Sequence, residues 1–299
     1  MQEGEVEERR VLRLGQSSLV VSLPKRWTER VGLKPGDAVV VFPEGDSLRI
    51  RPHVKREELD MKVEGRSTIS RYVLPCAYIL GYDRVIFEEG ALPAELKKSV
   101  ERLPGAMVSE SQEGQVEVKV VLDVNKVSLK DLLSKASRLS SQIALLLSRA
   151  LEGTADMKEL EEIGSQSYAL RTLSERVLYS QLASERTSVS FLSLSLLTLF
   201  WLVDWIMLDI AQSVIAENIR SPKLTKATLG LADLATLVVN AAPSTKRAEE
   251  LVERARQVEE ELRRESGDPL AARLLDVVRL YQIMGHSLIC VSIAEERAR

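Results

Sequence analysis

RRVLRLGQSSLVVSLPKRWTERVGLKPGDAVVVFPEGDSLRIRP, residues 9–52, is the stretch whose reading decides the fold at the N-terminal end of this chain. Val11-Leu12-Arg13-Leu14 alternates, Gly15-Gln16-Ser17-Ser18 has turn composition, and Leu19 to Leu23 places Leu19, Val21 and Leu23 on one face. That spacing predicts a β-hairpin. Pro24 suits the opening of a helix and Gly32 its close, so a short helix is expected over Lys25–Val31. Pro35-Gly36-Asp37 and Glu44-Gly45-Asp46 read as turns around a β-branched run, Ala38 to Phe42, with Ser47 to Ile50 as a last strand. Four strands and one helical turn in so short a stretch cannot close a core, and their open edges argue for pairing with a second copy.

Charge gives the stretch a second meaning. Between Arg9 and Lys34 stand seven cations, Arg9, Arg10, Arg13, Lys25, Arg26, Arg30 and Lys34, against Glu29 alone, a local excess of six. The whole chain carries a formal net charge of −3, which excludes a globally basic nucleic-acid binder; any DNA contact has to come from a local patch. Lys and Arg neutralise phosphates and release counterions, and guanidinium groups can also read base edges. Arg9, Arg10, Arg13, Lys25 and Arg26 are the candidate DNA contacts. Ser17, with Ser18, is a candidate phosphate donor at the hairpin tip.

Leu14-Gly15, Val21-Ser22-Leu23-Pro24-Lys25, Gly32-Leu33-Lys34-Pro35-Gly36-Asp37 and Ser47-Leu48-Arg49-Ile50-Arg51-Pro52 together resemble the SpoVT/AbrB swapped-hairpin domain. The resemblance implies a dimeric, interlocked two-chain β-barrel that presents basic residues of both copies to DNA, as in bacterial and archaeal regulators and some antitoxins. Some members carry an arginine pair in mid-helix; here Thr28 and Glu29 occupy those places, so that part of the contact does not carry over.

The rest of the chain changes character. With 299 residues, 45% hydrophobic and 28% charged, the protein reads as soluble and divided into about two or three domains. The expected organisation is multidomain: 1–54 the DNA-binding barrel, 60–125 a small α+β region, and 126–299 an all-α bundle of two three-helix units. His53 to Asp60 reads as a linker. In the middle region Thr68 to Leu80 and Pro93 to Leu103 read as helices, and Arg84 to Phe87, Ala106 to Ser109 and Val116 to Leu122 as strands. Six helices follow, at 128–151, 156–183, 187–219, 221–240, 244–264 and 269–297, punctuated by Gly153-Thr154, Ser184-Glu185, Ser221-Pro222, Pro243 and Gly267-Asp268-Pro269.

Tyr78-Ile79-Leu80-Gly81-Tyr82-Asp83 resembles the connecting region of archaeal proteins that fuse an AbrB module to a PhoU domain. Ala216-Glu217-Asn218-Ile219 and Val291-Ser292-Ile293-Ala294-Glu295 resemble PhoU, the phosphate-uptake regulator. That implies a bundle carrying a phosphate-related signal to partners such as a sensor kinase or a phosphate transporter component. The paired carboxylates of the PhoU pattern have decayed: Asp209 is matched with Trp205, and Tyr281 and Gly285 fill the second pair. Asp204 and Asp209, five apart, point in different directions, so no metal and no other cofactor is expected.

His286 reads as a core or interface histidine and His53 as linker. With no phosphate loop or nucleophile elbow, the chain is not expected to be an enzyme. Cys76 and Cys290 are too few for a disulfide framework and are expected in the core of a reduced, cytoplasmic protein; the acidic stretch Met1 to Glu8 is no secretory signal. Thr187 to Ala216 is apolar but interrupted by Asp204 and Asp209, and reads as a bundle helix, not a membrane span. The function expected is a DNA-binding regulator of the phosphate response. The alternatives are a PhoU-type adaptor whose barrel serves only to dimerise it, and a metal-dependent protein using the bundle carboxylates.

Overall fold

The computed structural model describes residues 8–15, 18–44, 47–52, 59–63, 70–87, 94–110, 115–182, 188–241, 244–265 and 267–298. The chain divides into two compact units, Met1–Glu57 and Glu58–Arg299.

In the first unit β1 (Leu12–Leu14) and β2 (Ser18–Val20) form an antiparallel hairpin, with Leu12 opposite Val20, Arg13 opposite Leu19 and Leu14 opposite Ser18. Helix α1 (Lys25–Arg30) starts one residue after Pro24, which serves as N-cap, and its exit is turned by Gly32 at φ +69°. The Lys34–Asp37 turn is closed twice: the Asp37 amide donates to the Lys34 carbonyl at 3.0 Å, and the Lys34 amide donates to Asp37 Oδ2 at 2.7 Å. Strands β3 (Val39–Glu44) and β4 (Ser47–Pro52) make a second antiparallel ribbon, in register from Val39 opposite Pro52 to Glu44 opposite Ser47. The four expected strands and the helical turn are all present, but β2 ends at Val20, so Val21 and Leu23 lie beyond the strand in which they were expected. Within one chain they remain two separate two-stranded ribbons.

The second unit begins with a four-stranded sheet of order β5-β6-β8-β7, built from β5 (Asp60–Val63), β6 (Arg84–Phe87), β7 (Ala106–Glu110) and β8 (Val116–Val120). Strand β5 runs parallel to β6 and the other pairs are antiparallel. Asp60, assigned to the linker from sequence, instead opens β5, because its carboxylate takes a two-pronged bond from the Arg84 guanidinium across the parallel pair. Helices α2 (Ser70–Leu80) and α3 (Ala94–Glu101) accompany the sheet, and Leu74, Ala77, Tyr78, Val85, Val100, Leu103 and Val118 form its core.

The remaining helices are α4 (Leu129–Glu152), α5 (Met157–Leu182), α6 (Ser188–Ala216), α7 (Pro222–Ala241), α8 (Thr245–Arg263) and α9 (Pro269–Ala298). Their limits follow local chemistry. The Ser128 hydroxyl accepts the Asp131 amide at the start of α4, Gly153 at φ +82° ends it, and Pro222 and Pro269 occupy the first positions of α7 and α9. Helix α6 stops short of the expected Ile219 because Asn218 turns left-handed at φ +54°, a conformation asparagine tolerates better than most residues. One continuous core spans α4 to α9; α4 packs on α6 and α7, and α8 on α7 and α9. Close approach of α8 depends on two glycines: a Cβ at Gly230 would lie 2.7 Å from Val258 Cγ2, and one at Gly285 2.6 Å from Val252 Cγ2.

By length and composition Leu192–Ala216 and Pro269–Ser292 are apolar enough to cross a membrane. Here both are packed as bundle helices, with Val203, Met207 and Ile210 of α6 and Leu274, Val277 and Val278 of α9 fully buried. Their outward positions carry Asp209, Gln212, Asp276 and Arg279.

One buried ion joins the sheet layer to the bundle. Arg176 of α5, 1% exposed, donates to the carbonyls of Tyr78 at 2.6 Å and Tyr82 at 2.9 Å and to Asp83 Oδ1 at 3.2 Å, with its guanidinium over the Tyr78 ring. It closes the carbonyl end of α2, where a cation also meets the negative end of the helix dipole. Removing it leaves the buried Tyr78 carbonyl and the half-buried Tyr82 carbonyl and Asp83 carboxylate with less than full pairing, a defect that costs about 3–5 kcal/mol. Arg176→Met is therefore expected to lower unfolding stability in urea by about that amount, whereas a drop below about 1 kcal/mol would show that this arginine does not tie the two layers together.

Candidate nucleic-acid interface

The candidate DNA-binding residues sit on the first unit in three groups. Arg9 and Arg10 precede β1 and are exposed; Arg13 lies at the middle of β1 beside Leu19 of β2; Lys25 and Arg26 occupy the first turn of α1. All five are solvent-accessible. Ser17 lies outside the described residues, and Ser18 is the first residue of β2. Arg30 and Lys34, counted in the charge excess but not singled out as contacts, are exposed as well.

The electrostatics favour an anionic partner. Cations in the first turn of a helix face the positive end of its dipole, so α1 gains nothing from Lys25 and Arg26 at that place. Lys25 has an acidic neighbour, Glu29 Oε1 at 3.7 Å, but the two side chains are 87% and 65% exposed. A pair so exposed is screened and weak, and a phosphate can displace it.

Packing supplies the other half of the site. Wherever side-chain burial is described between residues 8 and 52, no side chain is buried. Leu12, Leu14 and Leu19 are 60%, 64% and 73% exposed, and Val40, Val41 and Leu48 are exposed too. Paired strand residues point to the same side, so Leu12, Leu14 and Val20 share one face of the first ribbon while Arg13 and Leu19 share the other. The geometry thus offers an apolar face in need of cover and a mixed one, on which Arg13 stands beside the exposed Leu19.

Residues 12–58 match the family model described as "Antidote-toxin recognition MazE, bacterial antitoxin". The match begins at the first residue of β1 and takes in both ribbons and α1, and it supports reading this unit as a swapped-hairpin DNA-binding module of the MazE/AbrB type. No curated protein and no solved structure matches the chain. The MazE-type match ends before β5, so the sheet and the bundle rest on their own geometry.

Polar residues singled out in the bundle fall into two environments. Asp209 is exposed and ion-paired to Arg273 of α9, and His286 is exposed, not in the core. Cys76 and Cys290 are likewise exposed, which corrects the expectation of core positions. Their neighbours are apolar, but on α2 the buried set is Leu74, Ala77 and Tyr78, and Cys76 lies on the opposite side of the helix. His53 lies outside the described residues. Among the described residues no group of three or more His, Cys, Asp or Glu could hold a metal ion. Trp205 is 59% exposed, and Tyr281 is fully buried, edge-on to Phe200.

Asp204 is the exception that sequence did not foresee, a carboxyl only 4% exposed in the bundle core. The Ser167 hydroxyl donates to its Oδ2 at 3.2 Å, and the Ser140 hydroxyl stands 3.2 Å from that of Tyr281. Burial pushes the Asp204 carboxyl from 3.8 up to about 7, with the nearby Ser140 and Ser167 hydroxyls acting in the opposite direction; by geometry only Ser167 of the two is hydrogen-bonded to it. Burial raises Tyr281 far above the usual phenol range as well.

A carboxyl raised on folding keeps its proton in the native state while the unfolded chain has released it. Its contribution to stability is therefore full below pH 3.8, falls as the pH climbs toward about 7, and levels off above that. The whole change is on the order of 4 kcal/mol. Asp204→Asn is expected to flatten the stability profile between about pH 4 and about pH 7 relative to the parent, as measured by chemical denaturation; parallel profiles for the two proteins would contradict a protonated native Asp204.

Proposed function

We propose that this protein is a cytoplasmic DNA-binding transcriptional regulator that acts as a homodimer through its N-terminal ribbons, with the helical part receiving a signal or a partner. The observation that carries the reading is the MazE-type module, with its excess of exposed cations beside apolar strand faces that one chain leaves uncovered. A second copy supplies the missing cover and doubles the basic surface. Phosphate contacts then provide most of the affinity, and arginines set sequence preference in a groove. The signal assigned to the bundle is the phosphate response, on the resemblance of Ala216–Ile219 and Val291–Glu295 to PhoU. In this reading the chain is no enzyme, holds no resident cofactor and stays off the membrane.

The family description gives a specific second reading, in which the module is the antidote partner of a toxin. A docking role on a sensor kinase or phosphate transporter component, with the ribbons only dimerising the chain, is the further alternative.

Dimerisation through the ribbons has a direct test. Leu12→Asp with Leu14→Asp places two carboxylates on the apolar face of β1, and the full-length protein is expected to fall from the mass of two chains to one in light scattering, with its helical circular dichroism kept. A double variant that remains dimeric would place the interface elsewhere.

DNA binding is measured on the full-length protein against genomic fragments at a series of salt concentrations. Arg13→Ala with Lys25→Ala is expected to weaken binding by about tenfold or more and to reduce the salt slope by roughly one for each phosphate left without its cation, with the dimer intact. Unaltered affinity in that variant would sink the assignment of these residues. A dimer that ignores DNA even at low salt but captures a toxin-like or membrane transport partner would favour the alternatives.

A further inference from the structure

A chamber of about 110 Å³ lies between α4, α5 and α6. Its apolar wall includes Leu170, Leu178, Leu197 and Phe200, and its polar wall includes Ser167, Arg171, Glu175 and Asp204. Two carboxylate oxygens in this wall, Asp204 Oδ1 and Glu175 Oε2, are buried and have no hydrogen-bond partner among the described residues. Buried acceptors are nearly always paired, so two orphans on one chamber mark a place where something donates to them. Their sister oxygens are already engaged, Asp204 Oδ2 by the Ser167 hydroxyl and Glu175 Oε1 by Arg171 Nε at 3.0 Å.

The wall also specifies what kind of donor fits. Among the described residues Arg171 is the one cation lining the chamber; it is paired to Glu175, with its guanidinium carbon 3.9 Å from the centre of the Trp201 ring. Arg171 and Glu175 are about one-third exposed, so this end of the chamber opens to solvent, while Asp204 closes the inner end. An ammonium offers three N–H donors and a positive charge, and a short alkyl chain suits the leucines and Phe200. A cavity of about 150 Å³ admits benzene, so this one takes a molecule of roughly five heavy atoms.

We propose that the α4–α5–α6 chamber is a binding site for a small primary alkylammonium ion, held by Asp204 and Glu175 with its alkyl part on the apolar wall. Binding there is independent of the nucleic-acid reading, since all of its residues belong to the bundle. Asp204, poised by burial near neutrality, is driven to its charged form by a cation beside it.

The test uses the full-length protein and n-butylammonium chloride, with n-butanol, sodium butyrate and potassium chloride as matched controls at constant ionic strength. Butylammonium is expected to raise the melting temperature and to titrate calorimetrically with a Kd in the micromolar to millimolar range, as befits so small a ligand. Asp204→Asn and Glu175→Gln, each checked for folding by circular dichroism, are expected to weaken that binding by about tenfold or more, with n-butanol and butyrate inactive on all three proteins. No saturable binding to the parent, equal binding by either folded variant, or equal protection by potassium chloride would overturn the proposal, the last pointing to a simple inorganic cation.

Discussion

Apolar surface has to be covered, and the two units meet that constraint in opposite ways. The bundle satisfies it within one chain: six helices share a core running from Leu132 to Leu288. The N-terminal unit does not, because two-stranded ribbons have no second layer to pack against and leave Leu12, Leu14 and Leu19 in water. In a single chain the described strand residues stay exposed, and this is the observation on which the proposed second copy rests.

The same constraint explains where the charges can be. Among the described residues of the N-terminal unit no side chain is buried, and Arg9, Arg10, Arg13, Lys25 and Arg26 all reach solvent. In the second unit, by contrast, burial gives a few polar groups special weight. Arg176 is tolerated at 1% exposure only because three oxygens of the α2 end and the following turn converge on it. Asp204 is tolerated because it can hold a proton and one serine bond.

The helices of the second half could be read with limits within a few residues, since each break carries its own chemistry: Ser128 and Gly153 around α4, Pro222 before α7, Pro269 before α9. The hairpin, α1 and the second ribbon were equally plain, because turn residues and alternation act over a few positions. Strand β5 was missed. Its four residues are stabilised by Arg84 of a strand more than twenty positions away, and no local pattern announces a parallel partner. The cysteines were misplaced, and the core alternative for His286 failed, for a related reason: apolar neighbours in sequence say that a helix is buried somewhere, not which side of it faces the core.

Sequence by itself determined the order and kind of elements and the local concentration of positive charge, because propensity, turn chemistry and charge counts act between residues close in the chain. Tertiary structure alone decided which polar groups are enclosed. Nothing around Arg176 in sequence marks it as the link to the carbonyls of Tyr78 and Tyr82, and nothing separates Asp204 from Asp209 until the packing of α4, α5 and α9 buries one and leaves the other paired at the surface. Burial is a property of faces brought together from distant segments, and a carboxyl acquires its unusual proton affinity only when that meeting excludes water.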